Sequence, residues 1–412
     1  MSEHRRVVIT GIGAVTPLGN TVQETWEGLK NGKNGIAPIT HFDTEKFKAK
    51  LGAEVKNFDP KDYLEVNDVL RTDRYVQYAE AAAHEAVDES GIQGHVDPER
   101  FSVLFGTGTG GIGTFEQEHE KLLEKGPRRV SSLLIPMLIT NMAAGMLAIR
   151  HDCRGAAMAT VTACASSANA IGEAMRMIRH GYADAVIAGG SEAAIRPSSV
   201  AGFINMQALS TSQDPNAASI PFDKRRMGFV IGEGAVAFVL EEYEHAKARG
   251  AKIYAEVCGY GVTCDAFHIT APHPQGRGGT RAMLDAMKEA GWREEDRVYS
   301  NAHGTGTPMN DSLETTVIKN ALGEAAAKRA YVSSTKSMTG HMLGAAGAMD
   351  ALACVFALKE GIIPPTINLE EQDEACDLNC VPKTAVQAEL DLALSNSLGF
   401  GGHNACLAFR KV

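Results

Sequence analysis

The 412-residue chain lacks a block of basic residues, and its formal net charge at pH 7 is -10. This balance argues against a protein that binds nucleic acid through general electrostatics. No long apolar run is present either, because the longest weakly polar stretch, residues 343–358, contains Asp350 and is too short to cross a bilayer. The charged start of the chain resembles neither a signal peptide nor a transit peptide. These absences predict a soluble cytoplasmic protein that neither crosses a membrane nor binds nucleic acid.

None of the eight cysteines belongs to a C-x-x-C pair, so neither a zinc site nor a disulfide framework is indicated. Most of them stand among apolar residues, as core cysteines do. Cys164 differs because a short β-type run ends at it and a small-residue helix, predicted over residues 165–180, begins there. The amide groups and dipole of a helix N-terminus favour a thiolate, which is a strong nucleophile. The alternative is a buried cysteine that acts as a small hydrophobic residue.

The order of helix, strand and glycine loop occurs twice along the chain, over residues 75–113 and again over residues 281–307. A later strand and helix, residues 330–359, repeat the order found around Cys164. Strands that alternate with helices indicate an α/β fold with buried sheets. The repetition predicts two similar halves that join within the charged segment 242–251.

Two glycine-rich segments could indicate a dinucleotide site. Residues 11–16 fail the pattern because Thr16 replaces the third glycine, whereas residues 108–113 fit G-x-G-x-x-G after a predicted strand. Glycines also occur where two backbones pass closely. A lone match therefore leaves nucleotide binding as a minor alternative.

Three further loops place polar groups where a strand ends. His303 closes an apolar strand and enters a glycine loop, and Lys336 and His341 lie five residues apart just before a helix. Histidine can stabilise an oxyanion or exchange a proton near neutral pH. The alternative is that each histidine satisfies buried backbone groups. In the third loop, residues 395–404, glycines around Phe400 allow a backbone amide to point inward.

Taken together, these loops resemble the β-ketoacyl-[acyl-carrier-protein] synthases, closest to the elongating synthase II type, over residues 6–409. The segments that carry the resemblance are Val161-Thr162-Ala163-Cys164-Ala165-Ser166, Asn301-Ala302-His303-Gly304-Thr305-Gly306-Thr307, Ser333-Ser334-Thr335-Lys336-Ser337-Met338-Thr339-Gly340-His341 and Asn396-Ser397-Leu398-Gly399-Phe400-Gly401-Gly402. The resemblance implies a thiolase-like α/β fold whose two halves form a five-layered α-β-α-β-α body. Residues 1–250 would carry the cysteine and residues 251–412 the two histidines. It also implies a homodimer that acts on acyl carrier protein and needs no cofactor of its own, because its substrates carry phosphopantetheine.

The resemblance also assigns the chemistry. Cys164 would attack an acyl thioester, with the oxyanion held by the backbone N–H groups of Cys164 and Phe400. His303 and His341 would stabilise the enolate that malonyl-carrier protein leaves when it loses carbon dioxide. Attack of this carbanion on acyl-Cys164 would give a 3-oxoacyl product two carbons longer.

Supporting roles follow from the same resemblance. Lys336 would supply positive potential and order the loop of His341, with Glu314 as its candidate charge partner. On spacing alone, Asp311 and Glu314 are explained as an N-terminal cap of the helix after His303. Asp350 stands where the family commonly has glutamate. A structural monovalent cation is possible near it, and no other metal is predicted.

Substrate contacts are assigned to other residues of these loops. Thr305 and Thr307 resemble the residues that bind the phosphopantetheine arm, and Gly399 and Gly401 shape the loop around Phe400. Thr109 lies in the loop that helps set the depth of the acyl pocket at the dimer interface in related enzymes.

The surface that docks the acidic carrier protein has few basic residues in this chain. Its candidates are Arg71, Arg128 and Arg129, whereas Asn67 and Gln207 nearby are neutral.

Neighbouring families differ at the same positions. Degradative thiolases need a second cysteine where this chain has Phe400, and the initiating synthase III type has asparagine where this chain has His341. A polyketide-type ketosynthase shares the Cys-His-His set and is the main enzyme alternative. A catalytically silent dimer partner is the other alternative, although the intact Cys164, His303 and His341 argue against it.

Overall fold

Fourteen strands and fourteen α-helices occur along residues 4–412, the part of the chain that the computed structural model describes. The strands are β1 (Val7–Val15), β2 (Ala37–Pro38), β3 (Leu51–Gly52), β4 (Phe101–Gly106), β5 (Ala157–Thr160), β6 (Ala185–Glu192), β7 (Gly234–Glu242), β8 (Ala255–Cys264), β9 (Val298–Asn301), β10 (Tyr331–Ser333), β11 (Ile362–Ile363), β12 (Val386–Gln387), β13 (Leu392–Gly399) and β14 (His403–Arg410). The helices are α1 (Val22–Lys30), α2 (Val66–Val69), α3 (Arg74–Ser90), α4 (Ile112–Lys125), α5 (Leu134–Leu138), α6 (Met142–His151), α7 (Ser166–Arg179), α8 (Pro197–Asn205), α9 (Tyr243–Ala248), α10 (Arg277–Glu289), α11 (Pro308–Leu322), α12 (Glu324–Arg329), α13 (Lys336–Thr339) and α14 (Ala346–Glu360). None of these helices is both long enough and apolar enough to cross a membrane.

The central sheet contains the same five-stranded arrangement twice. One half has the order β5-β4-β6-β7-β1 and the other has the order β10-β9-β13-β14-β8. In each half the first three strands are parallel and the last two run antiparallel to their neighbours. Strands β1 and β8 join the halves through only two residue pairs, Val8 with Glu256 and Ile9 with Ala255. The repeat predicted from the sequence is therefore present as two copies of one strand order.

Helices fill the space between the two halves and cover both outer faces. Helices α7 and α14 share one apolar cluster with residues of both halves, whereas α3 packs on the outer face of the first half and α10 on that of the second. Successive strand residues point to opposite faces, so Leu104 faces the central helices and Val103 faces α3. This five-layered arrangement confirms the thiolase-like fold class.

The glycines of β1 serve packing. A Cβ atom on Gly11 or Gly13 would lie 2.0 Å from the carbonyl oxygen of Ala86 or Ala82 in α3. Only glycine lets this strand and helix approach so closely. The first glycine-rich segment is thereby explained without a ligand.

Candidate active site

Cys164 lies in a tight turn between β5 and α7. Ala163 has φ 51°, a left-handed conformation that residues with a Cβ rarely adopt. The Ser166 hydroxyl stabilises the turn because it accepts a hydrogen bond from the Thr162 amide at 2.9 Å and donates one to the Ala163 carbonyl at 2.7 Å. The turn places the sulfur at the N-terminal end of α7, where it lines a cavity.

The thiol of Cys164 is protonated in the resting protein. Burial raises its pKa to about 12, although the Lys336 ammonium and the backbone amides of Cys164 and Phe400 act in the opposite direction. The thiolate expected from the helix N-terminus is therefore wrong for the resting state, because the loss of hydration outweighs the dipole and the nearby positive charge. The sulfur must lose its proton as it attacks.

Both predicted histidines meet Cys164 in the cavity. Nε2 of His341 is 3.0 Å from the Cys164 sulfur, and the sulfur and one ring nitrogen of each histidine lie within 4.8 Å of one another. Burial lowers the pKa of both His303 and His341 well below the usual range, and the Lys336 ammonium lowers both further. Both rings are neutral near pH 7. They can exchange a proton with the thiol or donate an N–H to a developing negative charge.

Glu314 holds the backbone of the His303 loop. Its carboxylate oxygens accept hydrogen bonds from the amides of His303 and Gly304, both at 2.7 Å. The N-cap of α11 is Thr307, so the interpretation of Asp311 and Glu314 as an N-terminal cap is wrong. Both carboxylates lie inside the helix and point to the preceding loop, where Asp311 accepts from the Gly306 amide at 3.2 Å.

His341 is held by the extended segment of residues 230–232, which precedes β7. Its amide donates to the Val230 carbonyl at 2.7 Å, and its carbonyl accepts from the Gly232 amide at 2.8 Å. The ring packs edge-on against Phe229, with 5.1 Å between ring centroids. Phe229 fixes the ring plane, and nothing in the sequence marked it as part of the site.

Lys336 forms a buried ion pair with Asp350. The two atoms Nζ and Oδ2 are 2.6 Å apart, and the side chains are only 2% and 1% exposed. The second oxygen of Asp350 accepts from the Thr335 hydroxyl at 2.9 Å. Glu314 was expected to be the charge partner and is not, because both of its oxygens bind backbone amides instead. Asp350, which stood out only as a departure from the family pattern, has this role.

The loop between β13 and β14 brings the Phe400 amide towards the sulfur. Gly399 lies against the turn of Cys164, since a Cβ on it would be 2.7 Å from the Thr162 carbonyl oxygen. Gly401 has φ 84° and its amide donates to the Ile269 carbonyl at 2.8 Å. Gly399 and Phe400 line the cavity, whereas Gly401 anchors the loop from outside it.

The cavity has a volume of about 280 Å³. The residues predicted to bind the phosphopantetheine arm line it together with the catalytic residues. Thr305 and Thr307 both line it, and their hydroxyl oxygens are 3.0 Å apart. The other walls are mainly apolar and come from Phe203, Met206, Ala208, Phe229, Pro272, Met309, Leu343 and Leu398. Asp265 also lines it and accepts from the Asn404 side chain at 2.9 Å, which ties the end of β8 to the start of β14. No feature of the sequence marked Asp265 as part of the site.

The second glycine-rich loop binds a carboxylate of the protein itself. Glu192, fully buried at the end of β6, accepts from the amides of Gly108 and Thr109 at 2.7 and 3.1 Å and from the Thr109 hydroxyl at 2.6 Å. It also accepts from the Gly344 amide at 2.9 Å. The nucleotide-binding alternative is therefore wrong, because the amides that would hold a phosphate are occupied. Thr109 is held here and is not among the residues that line the cavity.

The docking candidates lie outside the cavity. Arg71, Arg128 and Arg129 are exposed, and within residues 4–412 no carboxylate forms an ion pair with them. They are thus free to contact another molecule.

The donor set of Cys164, His303 and His341 would also suit zinc by type and spacing. The Lys336 ammonium acts on all three groups and disfavours a second positive charge among them. The arrangement instead suits a nucleophile with two neutral imidazoles and an inward amide, as acyl transfer through a covalent intermediate requires.

Comparison with known proteins gives a consistent result. Residues 4–246 match the family model "Beta-ketoacyl synthase, N-terminal domain", and residues 254–370 match "Beta-ketoacyl synthase, C-terminal domain". The chain is 52% identical over 411 residues to 3-oxoacyl-[acyl-carrier-protein] synthase 2 of Synechocystis sp., with 99% of each chain covered. It is 50% identical over 412 residues to the Staphylococcus aureus (strain COL) protein of the same name, covering 100% of this chain and 99% of that one.

Two solved structures have the same fold over their full lengths. The ishigamide ketosynthase/chain length factor matches with a TM-score of 0.93 and 36% identity, and all of each chain is covered. The complex AntDE:AntF, described as a type II PKS acyl-carrier protein with its ketosynthase bound to the hexaketide, matches with a TM-score of 0.90 and 34% identity, again over all of each chain.

Proposed function

The chain belongs to the β-ketoacyl synthase family, and from this premise we propose that it elongates fatty acids as a 3-oxoacyl-[acyl-carrier-protein] synthase of the type II class. It is an acyltransferase that condenses an enzyme-bound acyl group with malonyl-acyl carrier protein and releases carbon dioxide. The observation that carries the proposal is the meeting of Cys164, His303 and His341 within 4.8 Å in one cavity. We place the nucleophile in a first half, residues 1–250, and the two histidines in a second half, residues 251–412.

The first step transfers the acyl group to Cys164. The sulfur attacks the thioester carbonyl, and the amides of Cys164 and Phe400 stabilise the resulting oxyanion. The thiol proton moves by way of His341, which contacts the sulfur, to the departing pantetheine sulfur. The C–S bond to the carrier breaks as the C–S bond to Cys164 forms, so the overall charge is unchanged.

The second and third steps form the new carbon–carbon bond. Malonyl-carrier protein loses carbon dioxide, and the electron pair of the broken C–C bond stays on the remaining thioester as an enolate. The enolate oxygen accepts N–H hydrogen bonds from His303 and His341. The enolate carbon then attacks the acyl carbonyl on Cys164 and expels the thiolate, which takes up one proton from solvent. Neutral imidazoles suit this role because they can donate without giving up a full proton, and the low pKa of both rings keeps them neutral.

Two variants separate the steps. Cys164→Ala should abolish acyl transfer yet still decarboxylate malonyl-carrier protein, because both histidines remain. His303→Ala should keep acyl transfer and lose decarboxylation, because its ring is not the one in contact with the sulfur. Adduct mass and labelled carbon dioxide release measure the two steps, with exposed His84→Ala as the matched control. Equal loss of both steps in both variants would contradict the assignment.

Fatty-acid elongation is favoured over the alternatives. The relatives named 3-oxoacyl-[acyl-carrier-protein] synthase 2 are 50–52% identical, whereas the type II PKS ketosynthase is 34% identical. A silent partner would not require the geometry around Cys164. Turnover by the purified chain without any other ketosynthase distinguishes these possibilities.

The partner we propose is acyl carrier protein. Three exposed cations support it, since no carboxylate of residues 4–412 pairs with Arg71, Arg128 or Arg129. The structural neighbour AntDE:AntF is a ketosynthase with its carrier protein. Reversal of Arg128 and Arg129 to glutamate should raise the KM for acyl-carrier protein. An unchanged KM would remove these two residues from the docking surface.

A cytoplasmic location fits a nucleophilic thiol that must stay reduced, since all eight cysteines are free.

A homodimer is supported by the open edge of the sheet. Strand β5 lies at the end of the first half's strand order, and among residues 4–412 it pairs with β4 alone. Met158 on this strand is 47% exposed, and Val161 just after it is 49% exposed. Natural sheets seldom leave an apolar edge uncovered, and a second copy of the chain would cover it. Met158→Glu/Val161→Glu should shift sedimentation towards the monomer, whereas Leu284→Glu on the outer helix α10 should not.

A structural monovalent cation is a further part of the proposal. It was expected near Asp350, but both oxygens of that carboxylate already bind Lys336 and Thr335, so other oxygens must hold the ion. Asn301 and Ser395 face each other on β9 and β13, and Ser397 lies on the same face of β13 as Ser395. Within residues 4–412, an oxygen of each of these three side chains is buried without a hydrogen-bond partner. Neutral amide and hydroxyl oxygens are suitable ligands for such an ion. When bound, it would stiffen the strand ends next to His303. The protein residues would hold and orient that loop, and the ion would take no part in bond making.

A further inference from the structure

A second cavity, with two lysines in its wall, lies next to the catalytic cavity. It has a volume of about 750 Å³, and Lys46, Phe47 and Lys48 contribute to its lining. Helix α8 and the segment that follows it also line the cavity, through residues that include Ile204 and Gln207. We call this feature the lysine groove.

One segment of chain separates the lysine groove from the catalytic cavity. Phe203, Met206 and Ala208 line the catalytic cavity, whereas Ile204 and Gln207 line the lysine groove. A molecule seated in the groove would therefore lie at the rim of the site. The groove also contains Gln207, the neutral residue that weakens the basic surface expected for the carrier protein.

The loop that carries the lysines is held in place, and its charges are unpaired. The Ile39 amide donates to the Lys50 carbonyl at 2.9 Å, and the Gln213 side chain donates to the Lys48 carbonyl at 3.3 Å. Lys46 and Lys48 themselves are exposed, and no carboxylate in residues 4–412 pairs with either ammonium. The acidic residues of the same loop, Asp43 and Glu45, do not line the groove.

We propose that Lys46 and Lys48 dock the acidic face of acyl carrier protein at this rim, in place of a cation at Gln207. The inference rests on the proposed function. The chain as a whole carries a formal charge of -10 and would repel an acidic partner, so unpaired local cations must attract it. The half-exposed side chain of Met227, which also lines the groove, offers an apolar contact beside the two charges.

The test compares Lys46→Glu/Lys48→Glu with two matched variants. Lys288→Glu/Lys328→Glu makes the same change in net charge at exposed lysines of α10 and α12, and Lys46→Arg/Lys48→Arg keeps the charge. Acyl transfer is measured from acyl-carrier protein and from an acyl-N-acetylcysteamine thioester, which has no protein to dock. The glutamate variant should raise the KM for the carrier about tenfold and weaken its dependence on salt. Transfer from the small thioester should not change, and both matched variants should behave as the wild type.

Any other result contradicts either the lysine groove, the carrier partner or the proposed function. An unchanged carrier KM, an equal loss with the small thioester, or an equal loss in the Lys288/Lys328 variant removes the lysine groove from docking and leaves the proposed function standing. If the wild type accepts the acyl group from the small thioester but not from the carrier, then both the lysine groove and acyl carrier protein as partner are refuted. Wild-type transfer from neither substrate refutes the proposed function together with this inference.

Discussion

The buried pair of Lys336 and Asp350 makes a quantitative prediction about stability. Asp350→Leu leaves an ammonium group that is almost fully buried without its counter-charge. Loss of one partner from such a pair costs about 3–5 kcal/mol in the free energy of unfolding. At about 1.2 °C per kcal/mol for a chain of this size, the apparent Tm should fall by roughly 4–6 °C.

Removal of both charges should restore most of this loss. The double variant Lys336→Met/Asp350→Leu leaves no unpaired charge, and apolar replacement of a buried pair is often neutral or stabilising. Its apparent Tm, followed by circular dichroism at a fixed scan rate, should therefore lie above that of Asp350→Leu. Its condensation activity should stay low, because the positive potential of Lys336 at His303 and His341 is gone. A double variant whose Tm loss equals the sum of the two single losses would refute the reasoning.

Three further predictions concern the site. Gly399→Ala should lower kcat for acyl transfer by about 10²–10³ because the new Cβ meets the Thr162 carbonyl and displaces the Phe400 amide; stopped-flow acylation near the wild-type rate would contradict this. Burial raises the pKa of Glu314 to about 7, above its unfolded value of 4.5, so the folded state binds more protons and stability from this group falls as pH rises from about 4.5 through 7. Glu314→Gln should flatten the change in unfolding midpoint between pH 5.5 and 7.5, and an unchanged slope would count against it. Prolonged treatment with EDTA should leave turnover intact, whereas loss of activity that zinc restores would favour the metal alternative.

Much of the fold could be predicted because the signals are local. The apolar spacing of residues 75–89 predicted α3, whose observed span is Arg74–Ser90, with Gly91 as its left-handed C-cap. Strand order could not be read from the chain, since it depends on contacts between residues far apart in sequence. The same holds for the narrow junction of two residue pairs between β1 and β8.

The residues of the candidate site could be predicted from the sequence, whereas their protonation states and ion-pair partners could not. Cys164 and His303 each follow the end of a strand, and His341 follows the short helix α13. The fold brings these three positions together. The protonated state of Cys164 was missed because burial cannot be judged from a helix N-terminus alone. The partner of Lys336 was also missed, because Asp350 lies on the face of α14 that only tertiary packing turns towards α13. Glu192 left a faint signal, as a charged residue at the end of an otherwise apolar strand.

Covalent capture at Cys164 tests the central claim most directly. Wild type and Cys164→Ser are incubated with a medium-chain acyl-carrier protein, and the intact mass of each is measured. An acyl adduct on the wild type alone is the predicted result, since only its sulfur lies against His341 and the inward amides. No adduct on the wild type across short and long chains, or an equal adduct on both proteins, would contradict Cys164 as the nucleophile.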